Sequence, residues 1–407
     1  MNITSLKNKI SPNQKIILFG AGRLGKLALN AFQANGIDVY AFYDSSEYKQ
    51  GKEVCGIKIL DLNELSALEK TSIIFITNNY ISYVQNFLKK LGFESIYDCI
   101  NIFEEIKKIK INRDLNEYDI NSIDREISFH KSAIDKSKTE NDESLHLKCI
   151  DIVVTEKCSM KCKDCSNLMQ YYERPQNSDL DLMFKTLDKF MSCLDSLYEF
   201  RVLGGDPFMN KELHKTIEKL KNYKNAQNIV VYTNATIIPK NENFECLKHD
   251  KITIEITNYG EGLSRKHGEL VELLSSNNIK YRSRPPGDWN ACGTLKFYER
   301  TEKELQRVFD NCCMSDVTTM MNGILFRCPF AANATKLKAV PYVENEVINL
   351  NHNISDKENL KKRIKNFNKS KKPLTACSYC GGRDYNSEII KPAIQTKKPL
   401  EYIKIEK

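Results

Sequence analysis

Apolar runs alternate with amphipathic stretches over the first hundred residues of the chain. The run KIILFG at 15–20 precedes AGRLGKLALNAFQANG, in which apolar residues recur at helical spacing as far as Gly36. Further apolar runs follow at IDVYAFYD, at SIIFIT (72–77) and at SIYD (95–98), and a helix is predicted at 80–91. Because strands and helices alternate in this order, the pattern predicts a parallel, doubly wound sheet.

The same alternation returns in the middle of the chain. CIDIVVT at 149–155 predicts a strand, and an amphipathic helix is predicted from about 179 to 197, with Ser178 or Asp179 as its N-cap. Four more runs predict strands, namely FRVLGG, NIVVYTN, KITIEITN and IKYRSR, and further helices are predicted at 211–221 and 264–276. Repeated units that begin with a strand are typical of a barrel or partial barrel, whose working face lies at the carboxyl ends of the strands.

These patterns place the chain in the α/β class and divide it into four parts. We predict a Rossmann-like domain at 1–110 and a polar linker at 111–147 with one helix near 123–135. A partial (β/α)6 barrel is predicted at 148–300, followed by a small region at 301–407 with less regular structure.

Length and composition agree with a multidomain globular protein. The 407 residues exceed what one ordinary core holds, and 41% of them are hydrophobic. The net charge of +8 is spread over short, interrupted basic runs, which favours solvated helix faces over a nucleic-acid groove. No apolar run reaches the roughly 18 residues that cross a bilayer, and the first residues lack the apolar core of a signal peptide. We therefore expect a cytoplasmic protein that binds neither nucleic acid nor membranes.

The cysteines indicate metal or redox chemistry. Fourteen are many for a reducing compartment, where disulfides rarely form. Three of them, Cys158, Cys162 and Cys165, lie in the polar stretch TEKCSMKCKDCS directly after a predicted strand. A structural zinc site takes four protein ligands, and a ferredoxin-type run has a different spacing. A four-iron cluster held by only three thiolates would keep one iron open for chemistry.

This C-x3-C-x2-C pattern after a first barrel strand resembles the signature of the radical S-adenosylmethionine (SAM) superfamily. The resemblance implies that the three cysteines bind a 4Fe-4S cluster and that SAM chelates the open iron. Reductive cleavage of SAM would then yield a 5′-deoxyadenosyl radical, which removes hydrogen from a substrate. This sequence has Asp164 where the family often has an aromatic residue against adenine, so that adenine would be held chiefly by backbone and other strand ends. A zinc site or a degenerate cluster site is the alternative.

Two later segments resemble SAM-binding motifs of the same superfamily. LGGDP, after the second barrel strand, looks like the GGE-P motif, in which backbone and an acid hold the SAM amino group, and Asp206 stands for the usual Glu. YTNAT, after the third strand, resembles a T-N-G segment near the SAM ribose and methionine, and the next strand ends in TNYG. The residues to which we assign SAM binding are Gly204, Gly205, Asp206, Pro207, Thr233, Asn234 and Thr257.

A second group of cysteines lies in the C-terminal region. NCCMSDVTTMMNGILFRCPF at 311–330 and CSYCGG at 377–382 resemble the auxiliary-cluster modules called SPASM and, in a shorter form, Twitch. MNGILFRC predicts part of a β-hairpin with Asn322-Gly323 as its turn. The resemblance implies one auxiliary 4Fe-4S cluster, with ligands drawn from Cys312, Cys313, Cys328, Cys377 and Cys380. We favour Cys312 over Cys313, because a single ligand on each hairpin arm leaves its neighbour pointing away. A four-cysteine zinc knuckle is the alternative.

A glycine-rich turn follows the first strand. Gly20, Gly22 and Gly25 form G-x-G-x-x-G before a helix, and Asp44 closes the second strand, an arrangement that suits the pyrophosphate and ribose of a dinucleotide. Such turns are also simple packing devices. The stretch YKQGKEVCGIKILDLNEL resembles Rossmann-like domains attached to sugar O-acyltransferases and some methyltransferases of surface-glycan pathways, which implies a sugar nucleotide as readily as NAD.

These features predict a radical SAM oxidoreductase or epimerase that acts on a small polar molecule or a nucleotide-linked sugar. Its chemistry would need a low-potential electron donor such as flavodoxin or ferredoxin. An auxiliary cluster suits oxidation, whereas epimerisation needs a thiol hydrogen donor, for which Cys292 is a candidate beside its alternative role in packing. Two other interpretations remain, a ribosomal peptide maturase of the same superfamily and a non-catalytic, zinc-stabilised nucleotide-binding module.

Overall fold

The chain forms two compact units, residues 1–143 and 144–407. The structure is a computed structural model. The residues that it describes are 3–11, 14–46, 49–106, 123–138, 143–287, 289–314, 317–352, 356–383 and 388–405. Residues 107–110 of the predicted Rossmann-like domain and residues 111–122 and 139–142 of the predicted linker lie outside the described residues. The one helix predicted in the linker belongs to the first unit. Within the described residues no helix is long and apolar enough to cross a bilayer.

The first unit is a doubly wound sheet flanked by helices. Its elements are α1 (Ile3–Lys9), β1 (Ile16–Phe19), α2 (Arg23–Ala34), β2 (Ala41–Tyr43), β3 (Glu53–Val54), β4 (Ile57–Leu60), α3 (Leu62–Ser66), β5 (Ile73–Ile76), α4 (Ile81–Lys90), β6 (Ile96–Asp98), α5 (Ile100–Ile106) and α6 (Ile123–Ser137). The strand order is β3-β4-β2-β1-β5-β6, and all neighbours are parallel except β3 and β4. The predicted parallel, doubly wound order is confirmed.

Side chains of the central strand β1 point alternately to the two faces of the sheet and contribute to two apolar cores. Ile16 and Leu18 pack into one core with residues of α2, and Ile17 and Phe19 pack into a second core with residues of α4. All four residues of β1 are buried. A strand covered on both faces reads as a continuous apolar run, which is why KIILFG shows no polar alternation.

The second unit contains the barrel sheet and the C-terminal region together. Its elements are β7 (His146–Thr155), α7 (Leu180–Cys193), β8 (Ser196–Gly204), α8 (Leu213–Lys221), β9 (Ala226–Thr233), α9 (Glu242–Glu245), β10 (Ile252–Thr257), α10 (His267–Ser276), β11 (Tyr281–Arg284), β12 (Trp289–Asn290), α11 (Glu302–Asp310), β13 (Thr318–Met321), β14 (Ile324–Phe326), α12 (Pro329–Lys336), β15 (Ile348–Asn349), α13 (Lys357–Lys369) and β16 (Ile389–Ile390). The main sheet has the order β11-β10-β9-β8-β7-β13-β14-β15, and β7 to β11 are parallel in sequence order, as in a partial barrel.

The C-terminal cysteine region continues this sheet rather than forming a separate layer. Strand β13 pairs in parallel with β7, and β13 and β14 form an antiparallel hairpin. Met321 pairs with Ile324, so the turn is Asn322-Gly323 as predicted, and both turn residues have positive φ, 50° and 75°. This conformation is typical of a two-residue hairpin turn that matches the twist of its strands.

The helix predicted to reach residue 197 ends earlier, at Cys193. Leu194 is extended, and Asp195 is tied to the residue before β7: its amide donates to the carbonyl oxygen of Leu145 (3.0 Å) and its carboxylate accepts from the Leu145 amide (2.7 Å). These bonds align the chain beside β7, so Leu197 lies in β8 instead of on the helix. The apolar spacing of Leu194 and Leu197 fits both structures, and the tertiary contact decides between them. Asp179 is the N-cap, accepting from the Leu182 amide.

Charged side chains lie on the face of the barrel sheet that points away from the helical layer. Ile150 and Ile152 pack into the core shared with the helices, whereas Asp151 between them is buried and pairs with Arg201 of β8 (Nε to Oδ1, 3.0 Å). Farther along the sheet, Glu255 accepts from two arginines of β11, Arg282 at 2.8 Å and Arg284 at 2.7 Å. Both arginines thus hold a buried carboxylate.

Candidate functional site

The three cysteines of TEKCSMKCKDCS occupy a loop at the carboxyl end of β7. Turn hydrogen bonds shape the loop: the Cys165 amide donates to the Cys162 carbonyl oxygen (3.1 Å), and the Leu168 amide donates to that of Cys165 (2.9 Å). Cys162 is buried and the other two are half-buried. Burial raises the pKa of Cys162 to about 11, and the neighbouring Cys165 thiol adds to the rise. Burial likewise raises the pKa of Cys158, with Asp206 and the other two thiols contributing. The three sulfur atoms therefore share one partly enclosed space.

Gly204 and Gly205, predicted to contact SAM, support this loop from beneath. The Gly205 amide donates to the Thr155 carbonyl oxygen (2.9 Å), and the Asp206 amide donates to that of Lys157 (2.8 Å). A Cβ at Gly205 would lie 2.1 Å from the Lys157 oxygen, and one at Gly204 would lie 2.0 Å from the Thr155 oxygen. The end of β8 thus packs backbone to backbone against the start of the cysteine loop.

We expect Gly205→Ala to displace the cysteine loop. Because the added methyl group would overlap the Lys157 carbonyl, the free energy of unfolding should fall by about 1–3 kcal/mol or more. Thermal unfolding measures the loss of stability, and the iron content after reconstitution shows whether the loop still binds a cluster. Gly268→Ala is the matched control, since its Cβ meets nothing within 4 Å and lies in α10, where alanine is the better helix former. Equal stability of Gly205→Ala and the wild type would contradict this role.

Asp206 makes its hydrogen bonds within the protein. One carboxylate oxygen accepts from the Phe208 amide (3.0 Å), and the other accepts from the Thr233 hydroxyl (2.9 Å) and the Asn234 amide (3.0 Å). The side chain is buried, as is Pro207, which begins a short 3-10 helix. Asp206 therefore joins the ends of β8 and β9, so that the LGGDP and YTNAT segments meet beside the cysteine loop.

Two side-chain amides donate to the cysteine sulfur atoms. Nδ2 of Asn234 lies 3.5 Å from Sγ of Cys158, and Nε2 of Gln395 lies 3.2 Å from Sγ of Cys162. Asn234 was predicted from its motif, whereas Gln395 lies in a segment with no motif. An N–H group that points at sulfur stabilises the thiolate relative to the thiol, and the thiolate is the form that binds iron.

Gln395 is held in place by a short segment that runs along the cysteine loop. The Lys163 amide donates to the Ile394 carbonyl oxygen (2.7 Å), and the Thr396 amide donates to that of Lys161 (2.7 Å). The Lys161 amide also donates to Oε1 of Gln395 (2.8 Å). We call residues 393–396 the clasp segment. Its contacts with the loop join positions more than 230 residues apart in the chain.

Tyr259 is a further neighbour of the three cysteines. It follows β10, whose last residue, Thr257, is half-buried, and its ring packs with the loop cysteines and edge-on against Trp289, with 6.0 Å between ring centroids. Burial raises its pKa well above the ordinary value, and the three thiols add to the rise. The sequence placed TNYG at the same mouth but did not single out this ring.

The residues around the loop fit a 4Fe-4S cluster. The donor set consists of soft sulfur atoms, which suit iron–sulfur centres, and amide N–H groups point at two of them. Within the described residues no three His, Cys, Asp or Glu side chains close around a single ion. A cluster takes its thiolates at separate corners rather than around one atom.

The second group of cysteines lines one cavity. Its walls include Cys312, Cys328, Cys377 and Cys380, together with apolar side chains such as Phe309 and Leu374. Burial raises the pKa of Cys312, Cys328 and Cys377 each to about 12, with other thiols of the group contributing. Cys313 is exposed and does not line this cavity. The four thiols supply a complete ligand set for a second cluster.

In the first unit, the glycine turn is partly a packing device. A Cβ at Gly25 would lie 2.1 Å from the Gly20 carbonyl oxygen, whereas one at Gly22 would meet nothing within 4 Å. Asp44 accepts from the Ala21 amide (3.0 Å) and from Nζ of Lys49 (2.9 Å). Gly25 thus allows α2 to approach β1, Asp44 holds the turn, and the space beside Gly22 is the part that a ligand could approach.

Two family matches cover parts of the chain. Residues 12–96 match the family described as C2185-like, N-terminal, and residues 147–264 match the family described as 4Fe-4S single cluster domain. The second range contains the cysteine loop and the segments from Gly204 to Thr257.

Individual proteins are similar to separate parts of the chain. The radical SAM cyclopropyl synthase TigE of Paramaledivibacter caminithermalis is 25% identical over 242 residues, which cover 49% of this chain and 49% of that protein. The redox-sensing transcriptional repressor Rex of Treponema denticola is 29% identical over 110 residues, 25% of this chain and 52% of that protein. The chain therefore spans about half the length of these relatives. The solved structure of BtrN in complex with AdoMet and 2-DOIA aligns with a TM-score of 0.41 and 15% identity, over 60% of this chain and 98% of that one.

Proposed function

We propose that this chain reductively cleaves SAM and abstracts hydrogen from a small polar or sugar-type substrate. It belongs to the radical SAM superfamily, and its cofactors are a 4Fe-4S cluster and SAM. The observation that carries the proposal is the cysteine loop at the carboxyl end of β7. Three sulfur atoms share one enclosed space there, and the amides of Asn234 and Gln395 point at two of them.

Cys158, Cys162 and Cys165 would hold the cluster and leave a position for SAM. When bound, the cluster and SAM supply a one-electron cleavage that gives methionine and a 5′-deoxyadenosyl radical able to remove a substrate hydrogen atom. The chain's own residues hold this site in place. Gly205 supports the loop, Asp206 fixes the ends of β8 and β9, and the two amides stabilise negative charge on sulfur.

Substrate would lie over the polar face of the barrel sheet. Asp151 with Arg201, and Glu255 with its two arginines, place charged groups on the face away from the helical layer. The carboxylates of these pairs are buried, but the three arginine side chains keep part of their surface exposed, which suits hydroxyl or phosphate groups of a small polar molecule. This supports a metabolite or a nucleotide-linked sugar as the substrate class.

The four thiols of the second cavity favour oxidation over a redox-neutral outcome. A fully thiolate-ligated cluster has no open iron, so its simplest use is electron transfer. Loss of a hydrogen atom, then of one electron and one proton, converts a carbinol carbon to a carbonyl. The electron would pass to the second cluster, and an external donor such as flavodoxin or ferredoxin would reduce the first. Such donors suit a reaction in the cytoplasm, which is the location that we propose.

The first unit would bind a nucleotide. The support is the open space at Gly22 between β1 and α2, beside the turn that Asp44 fixes. A strand-to-helix turn of this kind suits a pyrophosphate, which would belong to NAD or to a sugar nucleotide.

The test is anaerobic incubation of the reconstituted protein with SAM and a low-potential reductant. We expect 5′-deoxyadenosine and methionine in equal amounts, measured by liquid chromatography and mass spectrometry. Omission of the reductant is the control and should give neither product. A protein that shows a reduced 4Fe-4S signal by EPR but forms no 5′-deoxyadenosine would contradict the proposal.

A further inference from the structure

Arg383 lies beside both groups of cysteines. It follows Cys380 closely in the chain and lines the cavity of the second group. Its Nη2 donates to the carbonyl oxygen of Ser166, 2.9 Å away, and Ser166 directly follows Cys165 of the first group. The residue is half-buried. One cation therefore contacts the loop of the first group and the cavity of the second.

Backbone contacts join the two groups into one packed piece. A Cβ at Gly293 would lie 2.5 Å from the carbonyl carbon of Asp164, and one at Gly381 would lie 2.1 Å from the carbonyl oxygen of Ala291. Nε2 of Gln170 donates to the Gly293 carbonyl oxygen at 2.8 Å. Residues 291–293 are thus in close contact with the first cysteine loop on one side and with the second cysteine segment on the other. Arg383 therefore lies between two cysteine segments that are packed against the same short stretch of chain.

The charge partners of Arg383 are mainly sulfur atoms. Arg383 lines one cavity together with Cys312, Cys328, Cys377 and Cys380. A buried cation is costly without a negative partner. Asp151 also interacts with Arg383, but that carboxylate is paired with Arg201 at 3.0 Å. Within the described residues, the compensation that Arg383 needs is thus found chiefly at the cysteines.

The position of Arg383 relates it to both groups. It lines the cavity with Cys312, Cys328, Cys377 and Cys380, and its Nη2 contacts the residue directly after Cys165. A fixed cation in this position stabilises negative charge on nearby sulfur atoms.

We propose that Arg383 is a positioning residue that holds the second cluster against the first cysteine loop and raises its reduction potential. This rests on the proposed function, because it requires a cluster on Cys312, Cys328, Cys377 and Cys380. An electron taken up there adds one negative charge, which a nearby fixed cation stabilises, and the reduction potential of an iron–sulfur cluster depends on surrounding charge in this way. A higher potential favours uptake of the electron that a substrate radical gives up.

The experiment isolates the second cluster in the full-length chain. A parent variant with Cys158, Cys162 and Cys165 all replaced by alanine keeps only the second group of ligands. Arg383→Gln and Arg383→Lys are made in that parent, and the midpoint potential of the cluster is measured by EPR-monitored redox titration. Arg265→Gln is the matched control, because Arg265 is an exposed arginine outside both groups.

We expect Arg383→Gln to shift the midpoint to a more negative potential, while Arg383→Lys and Arg265→Gln stay close to the parent. An unchanged midpoint in a fully loaded Arg383→Gln protein overturns the proposal. So does a shift in Arg383→Lys as large as that in Arg383→Gln, since lysine keeps the charge. If the Arg383→Gln protein holds no cluster, the test depends on Arg383→Lys. A midpoint potential equal to that of the parent supports the proposal, and a shifted midpoint potential overturns it. Absence of a cluster in the parent itself would instead overturn the second cluster of the proposed function.

Discussion

Replacing any one of Cys158, Cys162 and Cys165 by alanine is expected to abolish formation of 5′-deoxyadenosine. Each thiolate would hold one iron of the first cluster. With two ligands left, the cluster should be lost or unable to bind SAM productively. The assay is product formation with SAM and reductant, together with the iron content of each variant.

The matched controls are Cys193→Ala and Cys246→Ala. Both residues are buried cysteines of the same barrel unit, but they pack in the core between sheet and helices, away from the loop. These variants should lose about 1 kcal/mol of stability through the small cavity and keep full activity. Retention of 5′-deoxyadenosine formation in Cys162→Ala, at the level of these controls, would show that the loop does not bind the catalytic cluster.

The second large effect is expected at Cys312 and not at Cys313. Cys312 lines the cavity with Cys328, Cys377 and Cys380, whereas Cys313 is exposed. Cys312→Ala should therefore lower the iron content from about eight to about four atoms per chain, because the whole second cluster depends on its ligand set. Cys313→Ala should keep about eight.

Iron and acid-labile sulfide analysis, with EPR of the reduced proteins, makes this comparison directly. The two variants differ only in which of two adjacent cysteines is removed. Any effect of expression or reconstitution on the iron content should therefore be the same in both. Full iron in Cys312→Ala combined with loss in Cys313→Ala would reverse the assignment. Zinc in place of iron in both would show the second group to be a structural zinc site.

Local patterns predicted the elements well where one interpretation fits the spacing. KIILFG could only be a short buried strand, because an apolar run between a polar segment and a glycine turn is too short for a helix. The predicted end of α7 was wrong, because the spacing of Leu194 and Leu197 fits a helix and a strand equally well. The bonds between Asp195 and Leu145, 50 residues apart, settle that question, and they are tertiary contacts that no local window contains.

The same division applies to the site. The cysteine spacings and Asn234 were found from sequence because their chemistry depends on residues close together in the chain. Gln395 was missed because it contacts a cysteine that a distant part of the chain supplies, and nothing near it in the sequence signals the contact. Arg383 follows the CSYCGG motif, but its bond to Ser166 joins it to a loop more than 200 residues away, which no local pattern indicates. For Asp206, the sequence motif indicated the position of the residue but not the direction of its carboxylate. The carboxylate accepts from Thr233 and Asn234, and this depends on how β8 and β9 lie together.

The clasp segment at 393–396 has a consequence for the order of assembly in the cell. Lys161, Cys162 and Lys163 leave the ribosome more than 200 residues before Gln395 does, yet the amide that points at the Cys162 sulfur comes from Gln395. During synthesis the cysteine loop is therefore exposed without one of its walls, at a stage when oxygen and stray metals have access to its thiols. Delivery of iron and sulfide should be most faithful after residues 393–396 have left the ribosome, when the segment can pack against the loop.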